Sequence, residues 1–592
     1  ITFDVRPLNG YGFTAAAVAE LLFTVVLVYT VLATTLAPRP AQQVSRQRFY
    51  VGLCIGGCMT LGGVAIGAVS GGELNPAVSC AISTLAGMSP GADPLSPRTY
   101  LIGFAAMQLA GSLLAAMLFR TTHPQQRRAG EAAEFEALVS ECWGTFVVVL
   151  TATCCSLVGG VWTSTAVAFA IMAMVYATAP TSGGHLNPAV SFAMGLIGLQ
   201  PWMQVYKYCL AQLLGAALAA GTASMLLAPR QLSLAHVDAF SFSHAILAEV
   251  LFTSMLCFVY LSCVASQRNN PLSDGNQFFG LAIGFVAIAG GHAAGGVSGA
   301  CLNPALAMGM DIRRLGLGWG VPWAVAELVG ASIGAFLYEV ARPDEWALLR
   351  GSQADFAGYV PSQARRCFCE FIGTFMLVLT VALNVATSSV ATAWSAGAAL
   401  MCMIYSLGGI SGGHFNPAVT LAVLVSGRGA ILPKDSGLYM GSQLLGGLAA
   451  GAVGALFRSA APGNLAALKV APAAGHTLLS AGCAELFFTF VLVYTFLAVA
   501  TTRPPASQLS KHSFHAALAI GACVTAGGFA AGGVSGGELN PAVAAGLAVD
   551  SLVESAASLV TLVMWELTGA LLAGVVFRAT HASEFSAAPV QK

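Results

Sequence analysis

Five Asn-Pro-Ala triplets at nearly even intervals are the most regular chemical feature of the chain. They are Asn75, Pro76, Ala77; Asn187, Pro188, Ala189; Asn303, Pro304, Ala305; Asn416, Pro417, Ala418; and Asn540, Pro541, Ala542. Asparagine is a favoured helix N-cap, and proline suits the first helical position because it needs no amide donor. While its amide oxygen caps the helix, the NH₂ group can donate to a neutral solute oxygen. The triplets therefore predict binding of small polar molecules, without bond-making chemistry.

Each triplet is predicted to begin a short helix that crosses half of a bilayer. About twelve mostly apolar residues follow it, as in NPAVSFAMGLIG, and at about 1.5 Å per residue they reach roughly 18 Å. Two such half-helices of opposite orientation would bring both positive dipole ends to one point at the midplane. We expect Asn187 to meet Asn303 there, and Asn416 to meet Asn540. Such a point repels cations and protons but accepts a neutral oxygen.

Composition places these elements in a membrane. Hydrophobic residues make up 57% of the 592 residues and charged residues only 8%, and the mean hydropathy is +0.77. Stretches such as 13–36 can cross the hydrocarbon core of a bilayer as helices, and three such stretches accompany each triplet. We predict an all-α, multi-pass integral membrane protein with an inverted repeat, about fifteen transmembrane helices and five half-helices. A formal net charge of zero gives no electrostatic reason to expect nucleic acid as a partner.

The five copies fall into two alternating kinds. Those at Asn187 and Asn416 read Ser-Gly-Gly-His before the triplet, and we call them A halves; the other three lack that histidine, and we call them B halves. Because each copy has three spans, an odd number, each successive copy enters the membrane in the opposite orientation. This is the organisation of an inverted repeat. The predicted domains are a single B half at 1–123, a linker at 124–134, a complete unit at 135–343, a linker at 344–362, a complete unit at 363–580 and a tail at 581–592.

The single B half has no A half beside it in this order. We expect the missing A half to precede residue 1 in a longer polypeptide of three units. The alternative is that residues 1–123 pair with another polypeptide. The chain begins with isoleucine, and ITFDVRPLNGYG lacks the basic region and short apolar core of a signal peptide.

Each half also carries a glutamate inside its first apolar span. These residues are Glu20, Glu141, Glu249, Glu370 and Glu485. A carboxylate at lipid depth is costly, so we expect them to face the protein and to accept hydrogen bonds from loop amides. A proton relay is the alternative, and it would need a chain of titratable partners that the sequence does not reveal. His185 and His414 are predicted to brace their loops, whereas Glu73 and Glu538 at the equivalent positions have no evident partner.

Metal chemistry finds little support in the sequence. Most of the fifteen cysteines lie in apolar spans, where cysteine usually packs as a small hydrophobic residue. Cys367 and Cys369 form a CxC pair without a second pair at ligand spacing, which is weak support for zinc. We predict no metal and no cofactor.

At the triplets the chain resembles the aquaporin, or major intrinsic protein, family. SGGHLNPAV and SGGHFNPAV are similar to the first loop of the family, and GGVSG followed by LNPA is similar to its second. The resemblance extends over nearly the whole chain. It implies six spans and two half-helices per pore, and facilitated diffusion of water and small neutral solutes, with neither enzymatic activity nor a coupling ion. Because members of this family commonly assemble as four pores, other aquaporin-like subunits are possible partners.

The resemblance also implies a selectivity filter, and here the chain departs from the family. Relatives usually carry an arginine directly after the second Asn-Pro-Ala, where this chain has Val78, Leu306 and Val543. The other filter positions correspond to Gly63, Gly291 and Gly528; to Gly72, Ala300 and Gly537; and to Val167 and Ala396. These small, apolar residues imply a wide filter for water and for glycerol, urea or ammonia, as in an aquaglyceroporin, although glycerol-conducting relatives normally keep the arginine. Two alternatives are a non-conducting structural subunit and, less favoured because no ring of charge lines the filter, an ion channel.

Overall fold

The computed structural model describes residues 5–37, 48–87, 96–124, 130–227, 240–270, 275–312, 318–345, 360–459, 468–502 and 509–586. Within these ranges the regular structure is entirely helical, and thirteen helices are long and apolar enough to cross a membrane. Two further apolar helices, Val51–Ile66 and Phe279–Ala294, are shorter and occupy the remaining positions of the predicted set. The all-α membrane fold predicted from the sequence is therefore confirmed.

Up to residue 341, the described residues contain twelve α-helices, α1 to α12. They are Phe13–Leu36, Val51–Ile66, Pro76–Gly87, Ser96–Thr122, Glu131–Val158, Thr163–Ser182, Pro188–Leu196, Trp202–Leu226, Phe242–Tyr260, Phe279–Ala294, Pro304–Met310 and Gly320–Ala341. From residue 363 onward the helices are α13 to α20, which are Gln363–Ala386, Thr392–Ser411, Pro417–Val425, Pro433–Ser459, Leu478–Ala500, Leu509–Ala531, Pro541–Leu547 and Leu552–Thr580. A short π-helical turn, Leu261–Ala265, follows α9, and a short helix, Ser583–Ser586, follows α20.

The chain divides into two compact units. The first consists of residues 1–41, 47–235 and 301–332, and the second consists of residues 42–46, 236–300 and 333–592. Residues 135–343 are therefore shared between the two units, whereas residues 363–580 lie entirely in the second. The single B half lies in the first unit except for residues 42–46. The predicted linkers and tail fall partly outside the described residues.

Small residues bring the first and third spans of a half together. Four glycines on third spans face first-span backbone carbonyls so closely that a Cβ atom would lie 2.2 to 2.6 Å from the oxygen: Gly111, Gly215, Gly446 and Gly569. Membrane helices commonly use such residues for close backbone approach. Each glycine lies three residues after a Gln or Glu, at Gln108, Gln212, Gln443 and Glu566. The close contact therefore places this Gln or Glu side chain of the third span near the buried glutamate of the first span.

The half-helices begin as predicted but most of them are shorter. Helices α7 and α15 have 9 residues and α11 and α19 have 7, whereas α3 has 12. The expectation of about twelve residues is therefore wrong for four of the five. After α7 and α15 the chain reaches Gly198 and Gly427, which adopt left-handed φ values of 78° and 74°. A left-handed glycine ends a helix readily, because it has no Cβ to oppose the turn.

Candidate functional site

The amino ends of the half-helices meet in pairs through reciprocal hydrogen bonds. In the first unit, the side-chain amide of Asn187 donates to the Leu302 carbonyl at 2.8 Å, and that of Asn303 donates to the Leu186 carbonyl at 3.0 Å. In the second unit, Asn416 donates to Leu539 and Asn540 to Phe415, both at 2.9 Å. Each asparagine thus binds the residue immediately before the opposite asparagine. The pairing is Asn187 with Asn303 and Asn416 with Asn540.

Each of these asparagines also caps its own helix. The side-chain oxygens of Asn187, Asn303, Asn416 and Asn540 accept the N–H of the alanine two residues later at 2.8 to 2.9 Å, with proline in the first helical turn. Only part of the side-chain NH₂ group is left for a solute. One N–H binds the opposite loop, and the second has no acceptor in the described part of the chain. One donor per asparagine therefore remains for a solute.

The residue before each asparagine has an unusual backbone conformation. Leu74, Leu186, Leu302, Phe415 and Leu539 have φ between 48° and 55°. Side chains of this size rarely occupy the left-handed region, and such a residue costs of order 1–3 kcal/mol unless its surroundings hold it. In the two pairs of half-helices, this residue supplies the carbonyl that receives the opposite asparagine. The strained turn therefore presents the acceptor that joins the two loops.

Buried glutamates accept hydrogen bonds from the loops that carry the strained turns. Glu141 accepts four hydrogen bonds: from the Ser182 hydroxyl at 2.6 Å, from the N–H groups of His185 and Leu186 at 3.0 and 2.7 Å, and from the Gln212 amide at 2.8 Å. Glu370 accepts the same set from Ser411, His414, Phe415 and Gln443, and Glu20 from Ser70, Glu73, Leu74 and Gln108. Glu249 accepts the Ser298 hydroxyl at 2.6 Å. Satisfying both carboxylate oxygens in this way offsets the cost of burial.

The glutamine of the third span was not singled out from the sequence. Its amide NH₂ group also donates to the hydroxyl four residues after the asparagine, so that Gln212 joins Glu141 to Ser191. Gln443 joins Glu370 to Thr420, and Gln108 joins Glu20 to Ser79. The repeated strings YCLAQLLGAALA and YMGSQLLGGLAA were the available signal. An aligned glutamine inside an apolar span indicates a buried polar partner.

The B halves of the two complete pairs replace this glutamine with glutamate. Glu327 accepts the N–H of Asn303 at 2.8 Å, and Glu566 accepts the N–H of Asn540 at 2.9 Å. The carboxyl groups of Glu566 and Glu538 also lie within hydrogen-bonding reach of Glu485. The Oε2 atoms of Glu538 and Glu566 receive no N–H or O–H from the described residues.

The sequence did not reveal these contacts. Glu485, Glu538 and Glu566 form a cluster, which we call the carboxyl cluster. Two carboxyl groups can form a hydrogen bond with each other only when one of them carries a proton, because an ionised carboxylate only accepts hydrogen bonds.

The residue two positions before the asparagine braces each loop differently. Nδ1 of His185 lies 3.0 Å from the Ser191 hydroxyl, and Nδ1 of His414 lies 3.1 Å from that of Thr420. Glu73 occupies this position in the single B half and accepts the Ser79 hydroxyl at 2.5 Å, which resolves its burial. At Glu538 the corresponding position, 544, is alanine. Alanine has no hydroxyl that could donate to Glu538, and the Glu538 carboxyl group instead belongs to the carboxyl cluster.

The predicted filter residues are mostly small, and those of the two complete units are buried or partly buried. Leu306 and Val543 are 5% and 4% exposed, Ala396 and Gly291 are buried, and Val167 is partly buried. A Cβ at Gly537 would lie 3.1 Å from the Gly528 Cα, and one at Gly528 would lie 2.7 Å from the Ala393 Cβ. Gly72 approaches Gly63 in the same way as Gly537 approaches Gly528. Val167 and Leu306 belong to the first compact unit and Gly291 and Ala300 to the second.

Metal ligation has no support in the described ranges. They contain no group of three or more His, Cys, Asp or Glu side chains that could hold a metal ion, and their cysteines are free thiols. The polar groups of the site are instead amides, hydroxyls and carboxyls bonded to one another. The arrangement can bind a neutral polar molecule through the remaining asparagine donors.

Comparison with known proteins identifies relatives along most of the chain. The family described as Major intrinsic protein matches residues 7–158, 130–338 and 358–512. The chain is 30% identical over 216 residues to the probable aquaporin NIP-type of Nicotiana alata, an alignment that covers 35% of this chain and 78% of the relative. It is 36% identical over 174 residues to aquaporin NIP1-1 of Zea mays, covering 29% and 60%. It is 32% identical over 224 residues to nodulin-26 of Glycine max, covering 35% and 78%.

Among solved structures, the X-ray structure of the aquaglyceroporin from Plasmodium falciparum aligns with 36% of this chain and 98% of its own. The sequence identity is 22% and the TM-score is 0.32.

Proposed function

The chain belongs to the major intrinsic protein family, and from that premise we propose that it is a passive membrane channel for water and small neutral solutes such as glycerol, urea or ammonia. The observation that carries the proposal is the reciprocal bonding of Asn187 with Leu302 and Asn303 with Leu186, repeated by Asn416 and Asn540. Each of the two complete units, 135–343 and 363–580, would contain one pore. The proposed channel uses neither ATP nor a coupling ion.

The paired asparagines would select for neutral oxygen. In each pair, two N–H donors remain available, and both helix amino ends carry partial positive charge. A solute oxygen that accepts these N–H groups turns its own hydrogens away from the pair. Cations and protons are disfavoured at the same point, because the helix ends repel them. Aquaporin-type selectivity rests in general on pore diameter, lining hydrogen bonds and such electrostatic barriers.

The apolar filter supports passage of solutes larger than water. Leu306 and Val543 stand where the family usually has arginine, and Gly528, Gly537 and Ala396 offer no bulky side chain. Apolar walls can accommodate the carbon backbone of glycerol, while backbone carbonyls can accept its hydroxyl hydrogens. Without the arginine, the exclusion of protons and ions depends on the positive helix ends and on the apolar lining of the filter.

The test compares water and solute fluxes in liposomes that contain the purified chain. Stopped-flow light scattering should show osmotic water permeability several-fold above that of empty liposomes, together with glycerol and urea entry. Water passage without glycerol passage would contradict the permissive filter alone. Inert liposomes that contain folded protein would contradict the channel and favour a structural subunit, and ionic conductance in planar bilayers would favour an ion channel.

A further inference from the structure

Two re-entrant loops of the chain share one sequence but have different surroundings. Residues 71–78 and 536–543 both read GGELNPAV. In the first loop, Glu73 accepts the Ser79 hydroxyl at 2.5 Å. The Gln108 side-chain amide donates to the Ser79 oxygen at 3.0 Å and to the buried glutamate of the first span at 2.9 Å. Each of these contacts therefore contains an O–H or N–H donor.

The second loop lacks both of these donors. Position 544 is alanine instead of serine, and position 566 is glutamate instead of glutamine. The carboxyl groups of Glu485, Glu538 and Glu566 lie together there as the carboxyl cluster. Glu485 and Glu566 are completely buried, and Glu538 is partly buried. The Oε2 atoms of Glu538 and Glu566 receive no N–H or O–H from the described residues.

The backbone donors beside the carboxyl cluster are already in use. Glu485 accepts the Leu539 N–H at 2.8 Å. Glu566 accepts the Asn540 N–H at 2.9 Å. The remaining contacts, those of Glu538 and Glu566 with Glu485, join one carboxyl group to another. Such a contact is a hydrogen bond when one carboxyl group carries a proton, and it is repulsive when both are ionised.

The elements packed around the carboxyl cluster place no cationic side chain beside it within the described residues. Helix α15 packs against α17 and α20 and contains no titratable residue. Cys483, two residues before Glu485 on α17, is exposed. The charged and imidazole groups of the packed elements lie roughly 16 Å or more away along their helices: His414 against Phe496 of α17, the lysine and histidines in the first two turns of α18, and Glu554 and Arg578 of α20. Protons are therefore the available counter-charge for the cluster.

We propose that protons held by the carboxyl cluster position Asn540, and that removing them at high pH lowers the permeability of the last complete unit. Glu566 holds the Asn540 N–H, and its ionisation beside other carboxylates would push it from that contact. Glu538 directly precedes Leu539, whose carbonyl accepts the Asn416 amide. Glu538 and Glu566 are thus positioning residues for the reciprocal pair. The effect on permeability rests on the proposed channel function.

The first test follows the unfolding temperature of the full chain in detergent between about pH 5 and pH 9. Glutamate in an unfolded chain ionises near about pH 4.3, so above that pH the folded cluster binds more protons than the unfolded chain. Stability therefore falls as the pH rises. Ala544→Ser with Glu566→Gln supplies both donors of the first loop and should reduce this fall, as should Glu538→Gln. Glu554→Gln, an exposed glutamate of the same span, should leave the fall unchanged.

The second test measures water permeability in liposomes with the same pH on both sides of the membrane. The unaltered chain should lose up to about half of its permeability at the higher pH, because one of two independent pores is affected. The ratio of the two permeabilities should approach one in Ala544→Ser with Glu566→Gln. An equal fall of stability with pH in that variant, in Glu538→Gln and in the unaltered chain would overturn the proposal. Recovery of stability at high pH on adding Ca²⁺ would also overturn it, since a metal ion would then hold the cluster. Inert liposomes at both pH values would contradict the channel function, while the unfolding measurements would still decide whether the cluster holds protons.

Discussion

The backbone N–H of Asn540 donates a hydrogen bond of 2.9 Å to the carboxyl group of Glu566, a residue of the third span that faces Glu485 and Glu538. In the A half of the same unit, the equivalent residue is Gln443, which donates to Glu370 at 2.8 Å. The same position therefore carries an amide on one side of the pair and a carboxyl on the other. This asymmetry places two further carboxyl groups, those of Glu538 and Glu566, beside Glu485 in the B half.

Replacing Glu566 with glutamine is expected to preserve or raise stability. A glutamine oxygen can still accept the Asn540 N–H, and its NH₂ can donate to Glu485 as Gln443 donates to Glu370. Glu566→Leu should instead lower the free energy of unfolding by about 1–3 kcal/mol, because it leaves the buried N–H unsatisfied. Thermal unfolding in detergent measures both variants. Equal losses in the two would show that the acceptor for Asn540 is unimportant.

Replacing Glu370 with alanine should destabilise the A loop strongly. The change removes the acceptor of the His414 and Phe415 N–H groups, and each buried group left unsatisfied costs about 1–3 kcal/mol. We expect a lower unfolding temperature and lower water permeability, since Phe415 carries the carbonyl bound by Asn540. Glu554→Gln is the matched control, because Glu554 is largely exposed and should change stability by less than about 0.5 kcal/mol. A stable Glu370→Ala variant with full permeability would contradict the bracing role.

The two asparagine pairs should contribute separately to transport. Asn416→Leu with Asn540→Leu removes the donors of one pair only, so water permeability per chain should fall to roughly half if the sites act independently. Adding Asn187→Leu and Asn303→Leu should reduce permeability to the level of empty liposomes. Stopped-flow measurements normalised to protein content distinguish the two steps. Loss of all flux after the first pair alone would mean that only residues 363–580 conduct.

An arginine at the filter should discriminate against the larger solute. Leu306→Arg combined with Val543→Arg places a bulky cation where both residues are now apolar and buried. We expect glycerol flux to fall more than water flux, because a narrower filter hinders the larger glycerol molecule more than it hinders water. Leu306→Met with Val543→Met controls for added bulk without charge. A parallel fall of both fluxes in the arginine variant would indicate general closure or misfolding.

Much of the local structure was predictable because it depends on neighbouring residues. Asn-Pro predicted the start of each half-helix, since the cap joins Asn187 to Ala189 only two residues later. The apolar spans were equally evident, because length and hydropathy are properties of contiguous sequence. The shorter length of the half-helices was not predicted from the apolar sequence. Helices α7 and α15, for example, are followed by Gly198 and Gly427 in a left-handed conformation, which hydropathy does not indicate.

The contacts that make the site were decided by tertiary structure. Residue types and spacing alone determined a membrane protein with five capped half-helices in two alternating kinds. They did not determine that Asn187 binds the carbonyl of Leu302 or that Leu186 adopts a positive φ. Nor did they determine that Glu485, Glu538 and Glu566 lie together. Partners more than a hundred residues apart are chosen by how the helices pack. In a membrane interior without water, each buried polar group has to find its partner in whichever helix lies beside it.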